Sequence, residues 1–285
     1  MRIRTMGYGG QFAGRRHVAR AIVYVIVLSV FLVTGNGLSP ASAQDSAMPS
    51  FSTDRPGIGD SAYIVPPGYL QFESGVTLQH DRTHVPDQRV TTVFAPNMVI
   101  RIGLLKALEL RFLGGDFVYE KTHSGNRDDH VYDVSAPTIA TKLQLTQEDR
   151  FTPQTAFFMN ATLPFGSKEQ RPDDVTPSFK VAANYAFSEF VSWEANLGVG
   201  WENGVQDVTG AYTTALGLSL SENLSTFAEV FGNLNGPATH GFDAGLTYLL
   251  SPTLQFDVSG GPALTSAAPD WFIAAGISFR LPRLW

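Results

Sequence analysis

Hydrophobic and polar residues alternate along the stretch of residues 179–258. Within it, the odd-numbered positions from Val191 to Trp201 are apolar, whereas serine, glutamate, asparagine and glycine occupy the even-numbered ones. A period of two places successive side chains on opposite faces of a β-strand. The pattern predicts five amphipathic strands in this stretch, joined by three tight turns and two longer loops.

The three tight turns resemble one another in sequence. Each starts with a hydrophobic residue followed by a serine, at positions 188, 221 and 251. The serines recur at intervals of about 30 residues, the length of a strand, a loop, a second strand and a short turn. A repeat of this length built from antiparallel hairpins is typical of a closed barrel.

The spacing of aromatic residues indicates that the apolar face meets lipid. Three strands carry two aromatic residues eight positions apart on that face: Phe179 with Phe187, Trp193 with Trp201, and Trp271 with Phe279. Eight residues in a strand tilted by about 40° span roughly 20 Å along a barrel axis, close to the apolar band of an outer membrane between its aromatic girdles. A soluble sandwich with an aromatic core is the alternative, and it is disfavoured by the charges and glycines on the opposite face.

The same alternation predicts an all-β transmembrane antiparallel barrel of about 12 strands. Short connections alternate with longer polar ones, which places both termini in the periplasm. The predicted strands are residues 69–81, 90–102, 108–119, 132–145, 154–163, 178–187, 190–202, 211–220, 224–232, 241–250, 253–261 and 271–281.

The first 43 residues have the pattern of a secretory signal peptide. Five arginines precede the apolar run 21–33, and Ala41-Ser42-Ala43 supplies a cleavage site. We therefore expect a signal peptide (1–43), a periplasmic or lumen-plug segment (44–68), the barrel (69–281) and a C-terminal tail (282–285). The leader holds five of the 20 basic residues and none of the 26 acidic ones, so the mature chain is acidic. That charge argues against a nucleic-acid partner.

Two segments resemble a known family. The first is residues 53–61, Thr-Asp-Arg-Pro-Gly-Ile-Gly-Asp-Ser, together with residues 65–75 that follow it. The second is Leu163-Pro164-Phe165-Gly166-Ser167. These are similar to the outer-membrane proteins grouped as the meta-pathway phenol-degradation family. The resemblance implies a barrel in the bacterial outer membrane with a role in the passage of aromatic or other apolar compounds.

The last predicted strand has a separate similarity. Ala274-x-Gly276-x-x-Phe279-x-Leu281 is similar to the pattern read by the barrel-assembly machinery, which we expect as a partner during biogenesis, with outer-membrane lipid as the surroundings. The chain continues for four residues beyond this pattern, from Pro282 to Trp285.

Histidines offer little catalytic or metal-binding chemistry. His80 and His84 lie near Asp81 and Asp87, and all five histidines after the leader fall in or next to predicted outer loops. Their spacing matches no known ligand set, and the chain has no cysteine, so we predict no metal site and no cofactor. His123 and Ser124 are the only adjacent histidine and serine that could serve a hydrolase, but they lie inside a predicted charged loop. We therefore do not predict an enzyme.

Charged residues on the polar faces are the better functional candidates. They are expected to line the lumen, partly as ion pairs that fill a narrow barrel. The candidates are Glu73, Glu109, Arg111, Lys142, Lys180, Glu194, Glu229, Asp243, Asp257 and Arg280.

The segment before the first strand is a candidate plug. Its prolines and glycines prevent regular pairing, and unpaired backbone does not sit in hydrocarbon. We predict that Thr53, Asp54 and Arg55 enter the lumen, with Arg55 bonded to an inward carboxylate; the alternative is a mobile periplasmic tail. The leading function is a channel or transporter for small, aromatic or apolar molecules. A structural or assembly barrel without a transported substrate is the alternative, and an outer-membrane hydrolase ranks below both.

Overall fold

Fifteen β-strands and one short 3-10 helix make up the part of the chain that the structure describes. A computed structural model describes residues 50–84, 87–202, 207–236 and 238–285, so the predicted signal peptide and residues 44–49 lie outside it. The strands are β1 Leu70–His84, β2 Asp87–Ala95, β3 Val99–Leu105, β4 Leu108–Leu113, β5 Phe117–Ser124, β6 Arg127–Val134, β7 Thr138–Thr146, β8 Gln154–Thr162, β9 Thr176–Ala186, β10 Val191–Glu202, β11 Asp207–Ser219, β12 Leu224–Asn233, β13 His240–Ser251, β14 Leu254–Pro262 and β15 Trp271–Arg280. The helix is Lys168–Gln170. Among these residues, no helix is long and apolar enough to cross a membrane.

The sheet closes on itself between its first and last strands. β1 pairs antiparallel with β15 on one side, from Gln71 opposite Arg280 to His80 opposite Trp271. On its other side β1 pairs with β3 near its start and with β2 near its end. β2 with β3, β4 with β5, and β6 with β7 each form one barrel strand broken in two. The 15 segments therefore make 12 barrel strands, which confirms the predicted all-β antiparallel barrel.

Proline and glycine cause the three breaks. Pro96 lies between β2 and β3, and Pro137 between β6 and β7, where a residue without an N–H cannot donate to the ladder. Gly114 and Gly115, between β4 and β5, have φ angles of 77° and 74°. A side chain at Gly114 would place its Cβ 2.4 Å from the carbonyl oxygen of Ala136, so glycine is required there.

The barrel has two unlike ends. One, the turn end, carries the short connections at residues 187–190, 220–223 and 252–253; the other, the loop end, carries residues 163–175, 234–239 and 263–270. The recurrent serines organise the short turns. Ser188 Oγ accepts hydrogen bonds from the amides of Phe190 and Val191, at 3.2 and 3.1 Å. Ser221 repeats the arrangement, accepting from Leu224 at 3.1 Å, which explains the repeat in the sequence.

The expectation of long polar loops after the first and third barrel strands was wrong. β1 continues to His84, and β5 and β6 are joined by only Gly125 and Asn126. His80, His84, His123 and His130 consequently lie on strands rather than in loops. The polar residues there pair across strands, as where His123 Nδ1 lies 2.6 Å from Asp128 Oδ1. Polar ladders of this kind are stable where a strand extends beyond the lipid.

Side-chain exposure agrees with the predicted alternation. Leu197 on β10 is 59% exposed, whereas the neighbouring Asn196 is 5% exposed. On the outer surface, Phe179 packs edge-on against Trp201 at 5.9 Å between ring centroids, and Phe72 stacks on Phe279 at 5.1 Å. The outer face is thus apolar and exposed, and the inner face is polar and buried, as in a barrel surrounded by lipid.

Candidate functional site: the lumen and the segment inside it

All ten predicted lumen-lining residues project from the inner face of the barrel. Eight of them are almost completely buried, and Lys180 and Glu194 are intermediate. They lie on β1 (Glu73), β4 (Glu109, Arg111), β7 (Lys142), β9 (Lys180), β10 (Glu194), β12 (Glu229), β13 (Asp243), β14 (Asp257) and β15 (Arg280). Charged groups become this buried only when something inside the barrel covers them and supplies partners.

Residues 50–68, which we call the plug segment, are that cover. This segment has no β-strand, so its backbone needs partners from the wall. Glu229 Oε2 accepts the amide of Ile58 at 2.7 Å, and its Oε1 accepts that of Gly59 at 2.9 Å. Glu109 Oε2 accepts the amide of Val65 at 2.7 Å. Inward carboxylates therefore hold the plug backbone in place of a neighbouring strand.

Glu73 holds the plug where it turns. Its Oε2 accepts the backbone amides of Asp54 and Arg55, at 3.0 and 3.2 Å. Its Oε1 accepts from Gln71 Nε2 at 2.9 Å and from Arg101 Nη1 at 2.8 Å. One wall carboxylate thus joins the plug to two neighbouring wall residues.

Asp54 is the main anionic contact of the plug with the wall. Its carboxylate lies 2.7 Å from Arg111, 3.1 Å from Lys142 and 3.2 Å from Arg101. Burial by itself would raise the pKa of Asp54, but the three positive charges outweigh it and hold that pKa well below its ordinary value. The carboxylate is therefore firmly ionised in the docked plug.

Arg55 contacts the opposite part of the wall. Its guanidinium forms two hydrogen bonds to Asp257 on β14, from Nη2 to Oδ1 at 2.9 Å and from Nε to Oδ2 at 3.2 Å. A planar guanidinium on a carboxylate in this paired geometry is among the stronger ionic contacts in proteins. The partner of Arg55 is therefore an inward carboxylate, that of Asp257.

Asp60 continues the contacts beyond the bend. Its carboxylate lies 3.0 Å from Arg111 and also pairs with Lys180. Its backbone exchanges two hydrogen bonds with Asn196 on β10, both at 2.9 Å. Thr53 adds a link to β14, since its Oγ1 accepts from Gln255 Nε2 at 2.9 Å.

Arg101 on β3 is the important residue that the sequence-based candidates omitted. It is fully buried and pairs with Glu109 at 2.7 Å and Glu73 at 2.8 Å. Its neighbours Ile100 and Ile102 give the alternation that marks it as inward. The signal was hidden because Pro96 interrupts the strand and leaves the phase of the following segment open.

Two cavities meet at the same part of the plug. A cavity of about 350 Å³ at the loop end is lined by Ile58, Phe231, Phe272, Pro262 and Pro269, among others. A cavity of about 190 Å³ nearer the turn end is lined by polar residues that include Glu194, Ser192, Ser225 and Glu229. Arg55, Pro56 and Gly57 line both. These three residues therefore separate two cavities along one side of the lumen.

The described residues include no group of three or more metal-ligating side chains that could hold an ion. His80 Nδ1 lies 3.2 Å from Thr91 Oγ1, and the side chain of His84 is outside the described part. His123 faces Asp128 across a hairpin and not a serine.

Comparisons with known proteins agree with this description. The family model "Putative MetA-pathway of phenol degradation" matches residues 53–281. No curated protein matches the sequence. The fold is similar to that of the COG4313 outer membrane channel from Pseudomonas putida F1, with a TM-score of 0.63 and 12% identity over 79% of this chain and 99% of that one.

Two further similar structures are more distant. The NanC porin aligns with a TM-score of 0.47 and 9% identity, over 74% of this chain and 100% of that chain. The CymD monoaromatic hydrocarbon channel aligns with a TM-score of 0.43 and 9% identity, over 76% and 88%. The family match, the closed barrel and its apolar outer face confirm the predicted resemblance and the predicted location in the bacterial outer membrane.

Proposed function

Because the chain belongs to the family described as the MetA-pathway of phenol degradation, we propose that it is a channel for small aromatic or apolar molecules that the plug segment closes. The observation that supports this most directly is the shared lining of the two cavities. Arg55, Pro56 and Gly57 belong to both, so displacing residues 55–59 joins a loop-end space to a turn-end space. We call residues 55–59 the gate segment.

The loop-end cavity fits a single aromatic ring. A dry cavity of about 150 Å³ suffices to bind benzene, and this cavity is about 350 Å³. Phe231 and Phe272 meet edge-on in its wall, with ring centroids 6.3 Å apart, and Gln79 and Asn97 supply polar groups. Apolar walls with a few polar groups are the usual composition of small-molecule sites.

The two unlike ends of the barrel support a particular orientation in the membrane. Short turns lie on the periplasmic side in barrels of this type, and longer connections outside. This rule supports an orientation with both chain termini and the start of the plug segment in the periplasm and the loop-end cavity open toward the exterior. The name of the similar Pseudomonas putida protein, an outer membrane channel, supports passage of solutes across this barrel.

Binding of phenol to the full-length chain in detergent micelles tests the site. We expect saturable heat of binding in calorimetry, which Phe231→Ala and Phe272→Ala each weaken. Phe256→Ala is the matched control, because Phe256 is an aromatic residue on the outer face, 43% exposed. Equal binding by all three variants would place the ligand elsewhere. Absence both of binding and of any conductance in plug-deleted protein would favour the structural-barrel alternative.

A further inference from the structure

One half of the barrel wall carries only negative charge. Between Lys180 and Arg280 the sequence has no lysine or arginine, but it has nine aspartates and glutamates. That stretch includes the end of β9, the whole of β10 to β14 with their connections, and most of β15. We call the inner face of β10 to β14 the acidic wall.

Four of these carboxylates point into the lumen: Glu194, Glu229, Asp243 and Asp257. Lys142, Arg111 and Arg101, by contrast, lie on β7, β4 and β3, on the other side of the barrel. The lumen is therefore divided into an acidic half and a basic half.

The gate segment supplies the partners of the acidic wall. Arg55 holds Asp257, and the amides of Ile58 and Gly59 occupy Glu229. Glu194 accepts from the neutral side chain of Asn184 at 2.9 Å. When the gate segment leaves, Asp257 and Glu229 lose these partners.

Asp243 has no cationic partner even with the gate segment in place. Its side chain is fully buried beside Glu229, its register partner on β12, and no cationic side chain among the described residues pairs with it. A buried carboxylate without a cationic partner is costly, and a cation or a proton donor entering the open lumen relieves that cost.

The basic half stays neutralised during this movement. Arg101 is paired with Glu73 and Glu109, both on the wall. Arg111 and Lys142 are held by Asp54, which precedes the gate segment. Lys180, on β9 beside the acidic wall, is paired with Asp60, which follows the gate segment. Displacing residues 55–59 alone therefore exposes Asp257 and Glu229 while these cations keep their carboxylate partners.

We infer that the open gate selects by charge, admitting uncharged and cationic single-ring compounds and excluding aromatic anions such as carboxylates and sulfonates. This inference rests on the proposed function and adds the charge class of its substrate. A carboxylate within about 4 Å of the path favours a monovalent cation roughly fivefold even in water and disfavours a monovalent anion by about the same factor, so the preference between the two changes by roughly 30-fold. Carboxylates that line a pore are a general source of cation selectivity.

Gly59 gives a way to open the gate by substitution. A Cβ there would lie 2.6 Å from Thr213 Oγ1 and 2.9 Å from both Glu194 Oε1 and Glu229 Oε1. Gly59→Leu should therefore displace the gate segment while leaving Asp54 and its cations in place. In planar bilayers under a potassium chloride gradient, we expect this variant to conduct with a reversal potential of the cation-preferring sign.

Removal of the charges is the decisive comparison. Adding Glu229→Gln and Asp257→Asn to Gly59→Leu should lower the potassium-to-chloride permeability ratio by roughly 30-fold or more. The matched control adds Glu189→Gln and Glu222→Gln, two carboxylates in the short turns outside the lumen, and should keep the ratio of Gly59→Leu. Swelling of proteoliposomes should be faster in benzyltrimethylammonium than in benzenesulfonate, two rings with permanent opposite charge.

The outcomes separate the two claims. Conductance without cation preference, or a preference unchanged by Glu229→Gln with Asp257→Asn, overturns the charge selection and leaves the channel standing. A folded Gly59→Leu barrel that stays closed, while a barrel lacking residues 44–64 conducts, refutes the gate segment and this inference with it. If neither conducts, the proposed function fails.

Discussion

The guanidinium of Arg55 is bound through two of its nitrogens by the carboxylate of Asp257, a residue 202 positions further along the chain. The contact joins the plug segment to a part of the wall that has no lysine or arginine of its own. Asp257 is fully covered and Arg55 nearly so, with 0% and 13% of their side chains exposed. The pair therefore holds the gate segment against the acidic wall.

Removing either member of this pair should loosen the gate. Loss of one partner from a buried pair costs about 3–5 kcal/mol, because the other charge remains without compensation. Arg55→Ala and Asp257→Asn should each raise the frequency of open events in single-channel recordings. The increase in open-event frequency in the double variant should be closer to that of either single variant than to the sum of the two increases. Arg82→Ala, which breaks an exposed pair with Asp87 at the loop end, is the control and should leave the gating unchanged.

Asp54 should contribute more to plug docking than Asp60. Asp54 faces three cations and is buried, whereas Asp60 faces two and is 19% exposed. We expect Asp54→Asn to lower the melting temperature of the detergent-solubilised barrel by more than Asp60→Asn does. Equal shifts would mean that the cation cluster does not anchor the plug.

The stabilisation from Asp54 has a defined pH dependence. A folded-state pKa held below the ordinary value means that the stabilisation is complete above that ordinary value, about 4, and is lost as the pH falls toward the lowered one. The difference in melting temperature between the native chain and Asp54→Asn should thus stay constant from neutral pH to about pH 4 and shrink below it. A difference that disappears already near neutral pH would contradict the ionised, cation-held carboxylate.

The lipid-facing surface can be tested at Leu197, midway between Trp193 and Trp201. An arginine near the bilayer midplane costs about 2–4 kcal/mol. Leu197→Arg should therefore make folding into lipid vesicles less favourable by that amount. Leu234→Arg is the control, because Leu234 is equally exposed but lies in a loop-end connection. Equal effects at both positions would mean that β10 does not face lipid at Leu197.

Local patterns in the sequence were sufficient for the barrel. The period of two between Val191 and Trp201 determines which side chains point inward, and the serine turns determine where strands reverse. Both patterns depend only on residues that are neighbours in the chain, so they can be identified from a single sequence. The same logic assigned ten charges to the polar phase of their strands, and the side chains of all ten are buried or half-buried.

Contacts between distant residues could not be predicted in the same way. Asp257 as the partner of Arg55 depends on which strand faces the gate segment after closure, and nothing local encodes that. Arg101 was missed because Pro96 interrupts the phase. The hairpins that hold His84 and His123 were taken for loops, since polar strands beyond the lipid lack the apolar face on which the prediction relied.

Single-channel recording of a chain lacking residues 44–64 tests most directly whether the plug segment closes a conducting barrel. That deletion removes Asp54, Arg55 and the gate segment but keeps every strand. Heat-modifiable gel migration should first establish that the deleted barrel is folded. We expect a larger or noisier conductance than that of the full chain under the same salt and voltage. A folded, deleted barrel with unchanged conductance would contradict this expectation.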